Sequence, residues 1–250
     1  SMTQEFSGLS AVVTGAGSGI GLATATMLKE RGARVFGLDL VKGGLEGIGH
    51  WFECDVSDSQ SIATAFVEIA ELTGTLDVLV NNAGIGAVGT IEDTSDEEWM
   101  RVLQVNVIGT ARVSAAALPL LRRSNHASIT NICSIAATVG LPARAAYSAS
   151  KGAIFSLTLA MAADHLHEKI RVNCVNPGTA DTPWIGRLLS QAADPAAERA
   201  ALSARQPIGR LISPNEVASA VCFLASPSQA STTGISLAVD GGMDSLRPRR

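Results

Sequence analysis

An apolar run closing at Thr14 leads directly into Gly15-Ala16-Gly17-Ser18-Gly19-Ile20-Gly21, and a helical stretch begins near Ile20. Glycines are needed where a turn is tight and where backbone must approach a phosphate at a helix N-terminus, whose free N–H groups attract anions. Alone such a loop is weak evidence. A strand before it, a helix after it and an acid at the end of the next strand make it specific. That acid is Asp39, in Gly37-Leu38-Asp39-Leu40. A carboxylate there accepts hydrogen bonds from a ribose 2′-hydroxyl and repels a 2′-phosphate. With Ser18 rather than a cation before Gly19, the pair points to NAD(H) over NADP(H), Lys42 being a minor reservation. The candidate cofactor residues in this half are therefore Gly15, Ser18, Gly19, Ile20, Gly21 and Asp39. Asp55 and Val56 follow the third apolar run at a natural place to contact adenine. Asn82, Ala83 and Gly84 follow the fourth and form a candidate cofactor wall.

Short apolar runs recur along the chain at Ala11–Thr14, Arg34–Leu38, Trp51–Cys54, Leu76–Val80, Ser128–Cys133, Arg171–Val175 and Ser236–Val239. Helical stretches begin near Ile20, Ser59, Glu97, Tyr147 and Pro214. Alternating strand and helix, with strands apolar on both faces, predicts a parallel sheet covered on both sides. The expected fold is one α/β domain over residues 1–250, a Rossmann-type doubly wound sheet with ligands beyond the carboxyl ends of its strands.

At 46% hydrophobic and 17% charged residues, the chain is less charged than an ordinary globular domain, at about 25%. Some surface is therefore expected to be covered by other subunits. A net charge of −4 leaves no footprint for a polyanion, so no nucleic-acid partner is expected. Cys54, Cys133, Cys174 and Cys222 lack disulfide or metal spacing and read as reduced core thiols; no metal is expected. The N-terminus shows no signal region, and Ser1 before Met2 reads as a cloning remnant. The charge-free tract Val217–Val239 carries Pro227, Gly234 and many hydroxyls, and reads as buried helix, turn and strand rather than a membrane span. A cytoplasmic protein is expected. Asp164, His165 and His167 do not share a helix face, and the Arg247-Pro248-Arg249-Arg250 tail is too short for a polyanion site.

Thr14-Gly-x-x-x-Gly19-Ile20-Gly21, Asn81-Asn82-Ala83-Gly84, Asn106, Ser134, Tyr147-x-x-x-Lys151 and Pro177-Gly178 occur in that order. Over nearly its whole length the chain thereby resembles the short-chain dehydrogenase/reductase family. The resemblance implies a seven-stranded sheet, a homotetramer, and hydride exchange between a nicotinamide cofactor and an alcohol or ketone. It also implies Asn106, Ser134, Tyr147 and Lys151 as the catalytic set. Pro214–Leu224 and Asp240-Gly241-Gly242 resemble the family's tetramer-forming end, which favours an interface role for the charge-free tract.

The chemistry of these residues agrees. Oxidising an alcohol requires a base for its proton, and a phenol, with a reference pKa of about 10, is ordinarily a poor one. Tyr147 and Lys151, at i and i+4, share a helix face. An ammonium a few ångströms from a phenolate stabilises it by about 3–4 kcal/mol at an effective dielectric of ~20. Ser134 at a strand end can hydrogen-bond the substrate oxygen. The Asn106 side chain is expected to hold a water that relays protons from Lys151. After the sixth strand, Pro177 and Gly178 lead into Thr179 and Thr182, which look placed to bond the nicotinamide carboxamide. Residues 183–207 have the composition of a helical lid. Arg144, Arg187 and Arg205 fall near the expected pocket, and guanidinium forks suit carboxylates or polyhydroxylated groups. Trp184 would stack on a sugar or pack the lid. The expected substrate is a small polar hydroxy acid, sugar or sugar acid bound by Ser134, Tyr147, Arg144, Trp184, Arg187 and Arg205. Alternatives are a 3-oxoacyl-thioester reductase, or a non-catalytic NAD(H)-binding sensor or scaffold.

Overall fold

Alternation along each strand sends successive side chains to opposite faces, and in this chain both faces find an apolar partner. The computed structural model describes residues 4–249, so the readings of Ser1 and Arg250 lie outside the described residues. Seven parallel strands form one sheet: β1 (Ser10–Thr14), β2 (Arg34–Asp39), β3 (His50–Glu53), β4 (Val78–Asn81), β5 (Ser128–Ile132), β6 (Arg171–Pro177) and β7 (Ser236–Val239). The helices are α1 (Gly19–Glu30), α2 (Ser59–Leu72), α3 (Asp96–Leu103), α4 (Gly109–Leu121), α5 (Ala145–Asp164), α6 (Pro183–Ser190), α7 (Pro195–Ala204) and α8 (Pro214–Ala225). Val12, Leu38, Leu79, Ile129 and Val172 point into one core with residues of α2, α4 and α5. Their neighbours Val13, Val35, Val80 and Val175 point into the other, against α1 and α8.

Strand order is β3-β2-β1-β4-β5-β6-β7. The chain reverses direction across the sheet between β1 and β4, and a crevice opens there beyond the strand ends. Two helical expectations need correction. The helix expected from Glu97 is interrupted by a π turn at Gln104–Ile108, and the segment 183–207 holds two short helices rather than one. Asp194 caps α7, accepting from Ala197 N–H at 3.1 Å, so its carboxylate starts a new helix instead of extending α6.

The charge-free tract forms α8, a turn and β7, as its composition predicts. Val217, Val221, Cys222 and Leu224 are buried within this chain, so much of the tract is monomer core, and the interface expectation keeps only its exposed part. Phe223, at 47% exposure, and the open edge of β7 remain uncovered. Among the described residues no helix is long and apolar enough to cross a membrane, and no three potential metal ligands cluster.

Candidate active site

A cavity of about 660 Å³ lies beyond the carboxyl ends of β1 and β4, within the roughly 300–1,000 Å³ usual for ligand sites. The glycine loop is one wall. Gly21 is not on that wall, contrary to its assignment as a contact: a Cβ there would stand 2.0 Å from the Gly15 carbonyl oxygen. Its role is to let the first turn of α1 close onto the loop. Side chains cap the first turns of α2, α3, α6, α7 and α8, whereas Ser18 leaves the N–H groups of α1 without a side-chain acceptor. An uncapped helix end facing a cavity suits a phosphate.

Asp39 Oδ2 accepts from Gly17 N–H at 2.9 Å, which fixes the carboxylate at the mouth of the loop. Lys42 is turned onto Glu46, four residues on, in an exposed pair. Asp55 Oδ1 is spent on Ser57, accepting from its N–H at 2.9 Å and its hydroxyl at 2.6 Å. Val56, Asn82, Ala83 and Gly84 line the cavity alongside Asp55. Asn82 Nδ2 donates to the Gly15 carbonyl at 3.1 Å, tying the two loops together.

Ser134, Tyr147 and Lys151 meet on the opposite wall. Ser134 Oγ accepts from Ala136 N–H at 3.0 Å, which leaves its own proton free to donate. Lys151 Nζ is 5.8 Å from the Tyr147 ring centroid and donates to the Ile132 carbonyl at 3.0 Å. Asn106 sits in the π turn, only 1% exposed, and does not line the cavity. Its amide is engaged: Oδ1 accepts from Ile85 N–H at 2.8 Å, while Nδ2 donates to Ile85 O at 3.0 Å and Ser150 Oγ at 3.1 Å. Both amide hydrogens are thus engaged within the protein, while Oδ1 keeps one lone pair. The side chain braces the loop after β4, and a π turn commonly marks such a functional position.

Pro177, Gly178, Thr179 and Thr182 also line the cavity. The Thr179 side chain is free, while its N–H donates to Gln206 Oε1 at 3.1 Å. Thr182 Oγ1 caps α6, accepting from Ile185 N–H at 3.5 Å. Arg144, Arg187 and Arg205 face the same cavity. Arg144 Nη1 donates to Ala87 O at 3.0 Å, and its guanidinium lies 4.9 Å over the Trp184 ring. Trp184 is packed between Arg144 and Gly86 and also lines the cavity. Burial, and then the positive charge of Arg205, lower the Arg144 pKa below the usual guanidinium value.

The family model described as enoyl-(acyl carrier protein) reductase matches residues 15–244. A cis-4-hydroxycyclohexanecarboxylate dehydrogenase of Sinomonas cyclohexanicum is 41% identical over 96% of this chain and 98% of its own. The chain belongs to the short-chain dehydrogenase/reductase family. Like the dehydrogenases it resembles, it is an oxidoreductase of CH–OH groups that uses a nicotinamide cofactor. A 2-(S)-hydroxypropyl-CoM dehydrogenase 3 of Xanthobacter autotrophicus (strain ATCC BAA-1158 / Py2) is 40% identical over 94% of this chain and 96% of its own. The ligand-free aldohexose dehydrogenase of Thermoplasma acidophilum superposes with a TM-score of 0.94 at 35% identity, covering 99% of this chain and 98% of that one.

Three residues have contacts that the sequence reading did not assign, two of them, Thr14 and Asn81, quoted there only as parts of motifs. Thr14 Oγ1 accepts from Asn82 N–H at 3.0 Å and Ala83 N–H at 2.9 Å, joining β1 to the loop after β4. Asn81 donates to Asn131 Oδ1 at 2.9 Å and Ser114 Oγ at 3.0 Å beneath the site. Gln206, buried, holds the loop after β6. Polar residues at buried strand ends were the available signal for the first two; nothing local marks Gln206.

Proposed function

We propose that this chain is an NAD-dependent dehydrogenase of a small polar secondary alcohol, with Tyr147 as the acid–base group. The convergence of Ser134, Tyr147 and Lys151 opposite an uncapped glycine loop is the observation that carries this reading. The dinucleotide would be held by Gly15, Ser18, Gly19 and Ile20 at its phosphates and by Asp39 at its adenosine ribose. Asp55 and Val56 would flank adenine, with Asn82, Ala83 and Gly84 along the wall. Pro177, Gly178, Thr179 and Thr182 would hold the nicotinamide end, together with Tyr147 and Lys151. The preference for NAD(H) is supported by the Asp39 carboxylate, held beside the glycine loop at the end of β2, where it would meet the adenosine ribose.

When bound, the nicotinamide ring accepts or returns the hydride. The protein manages the proton. In the oxidative direction the Tyr147 oxygen takes the proton of the carbinol while Ser134 Oγ donates to the same oxygen, holding it in place. Lys151, buried and anchored on Ile132 O, holds its amino group 5.8 Å from the Tyr147 ring centroid, where a positive charge would favour the phenolate. Asn106 is a positioning residue, fixing Ile85 against the turn. The substrate class is a hydroxy acid, sugar or sugar acid, met by Arg144, Arg187 and Arg205 with Trp184 packing residues 183–207 as a lid. The carboxylate in the name of the Sinomonas relative supports the acid, and the Thermoplasma neighbour the sugar. The protein is read as a cytoplasmic homotetramer, which the open β7 edge and exposed Phe223 support.

The 3-oxoacyl-thioester reductase reading is favoured by relatives that carry the name 3-oxoacyl-[acyl-carrier-protein] reductase, among them one of Vibrio cholerae serotype O1 at 36% identity over 93% of this chain and 96% of its own. Separate assays of NAD⁺ and NADP⁺ reduction over hydroxy acids, aldoses, sugar acids and simple alcohols decide between them. The expected result is NAD⁺-selective turnover that falls by about 10²–10⁴ in Tyr147→Phe with NADH binding retained. Turnover with NADP⁺ alone, or full activity in Tyr147→Phe, refutes the reading.

A further inference from the structure

The charge on the cavity wall is divided by strand order. Its carboxylates, Asp39 and Asp55, stand at the ends of β2 and β3. Beyond β5 and β6 the wall carries Arg144, Arg187 and Arg205 and no acid. Among the described residues none of these three pairs with a carboxylate; Arg34, Arg112, Arg123 and Arg171 also lack one but are each held by a backbone carbonyl, whereas the Arg187 and Arg205 side chains have no such bond. Three unpaired guanidinium groups around one cavity, in a chain of net charge −4, mark a place where an anion is missing from the protein itself.

The three are not equivalent. Arg144 belongs to the body: it precedes α5, its backbone bridges to Gly89, and its side chain is held by Ala87 O and Trp184. Ala143 before it is in the left-handed region at φ 57°, a conformation an L-residue keeps only when its surroundings impose it. Arg187 lies on α6 and Arg205 just after α7, both on the segment that covers the cavity. Like charges on the body and on the cover oppose each other until something negative lies between them.

We infer that the substrate is an organic anion, a secondary alcohol bearing a carboxylate or sulfonate, whose anionic group bridges Arg144 on the body and Arg205 on the cover and thereby seats α6 and α7. Neutral sugars lack the bridging charge. This rests on the dehydrogenase reading above, which turnover of a neutral secondary alcohol by the unaltered protein, lost in Tyr147→Phe, tests separately.

The experiment uses the protein with NADH bound and three unreactive ligands of one ring: cyclohexanecarboxylate, cyclohexanesulfonate and cyclohexanecarboxamide. Binding is followed by NADH fluorescence and closure by the rate of tryptic cleavage after Arg199. At least one of the two anions should bind about 10–100-fold more tightly than the amide, the worth of a hydrogen bond to a charged group, and slow cleavage. Whether the carboxylate or the sulfonate is preferred names the source of the anion. Arg205→Gln should lose this preference while still binding NADH, and Arg205→Lys should recover part of it. Equal binding of amide and anions, an unchanged preference in Arg205→Gln, or anion binding without protection from trypsin overturns the inference.

Discussion

Thr14 illustrates how a single hydroxyl holds two parts of the site. It accepts from two successive N–H groups, of Asn82 and Ala83, which no other side chain serves. Thr14→Val keeps the shape and leaves both donors unpaired, at about 1–3 kcal/mol for each that stays out of water. Urea unfolding should show a lower midpoint, and NADH titration a weaker complex. Asp39 acts by charge instead. Its carboxylate opposes a 2′-phosphate, and like charges brought together cost several kcal/mol. Asp39→Ser should raise kcat/KM with NADP⁺ relative to NAD⁺ by about tenfold or more, measured with one substrate and both cofactors. Asp39 was legible because it ends a strand at the right distance from the loop. Thr14 was quoted in the motif, but its work is done across sixty-eight residues, on a neighbour that only the strand order supplies.

At the scale of elements, α6 and α7 show what the sequence leaves open. Ile185 and Leu189 of α6 meet Leu202 of α7 and Leu211 in a small core of their own, so the pair holds together as a unit. It touches the body through Trp184, and a Cβ on Gly86 would meet that ring at 2.4 Å. Gly86→Ala should therefore push Trp184 and α6 outward. KM for the substrate should rise by about tenfold, as for other small displacements of a positioning element, with little change in the thermal midpoint. Steady-state kinetics and a melting curve on one preparation check both. Arg144 would lose its stacking partner in that variant. The sequence placed Trp184 and Arg144 near one pocket, but not in contact with each other.

For the whole molecule, burial on both sides of the sheet has a chemical consequence. Cys54, Cys133, Cys174 and Cys222 are all buried and free. Burial pushes the Cys222 thiol up to about 12, while the neighbouring Cys133 holds Cys174 below the ordinary thiol range. A lowered thiol is reactive only if a reagent can reach it. The native protein should accordingly give almost no fast reaction with a thiol reagent, and all 4 cysteines should react after unfolding in denaturant. The sheet, its parallel direction, the glycine loop and the pairing of Tyr147 with Lys151 were written in local pattern: short runs apolar on both faces between helical stretches, a loop between strand and helix, and an i, i+4 pair. Those depend on neighbours within a few residues, which a sequence displays. The burial of α8 against α1, the engaged amide of Asn106, the split lid and the opposition of Arg144 to Arg205 were decided only in the folded chain. Each is a contact between residues far apart in sequence, fixed by the order in which the strands lie.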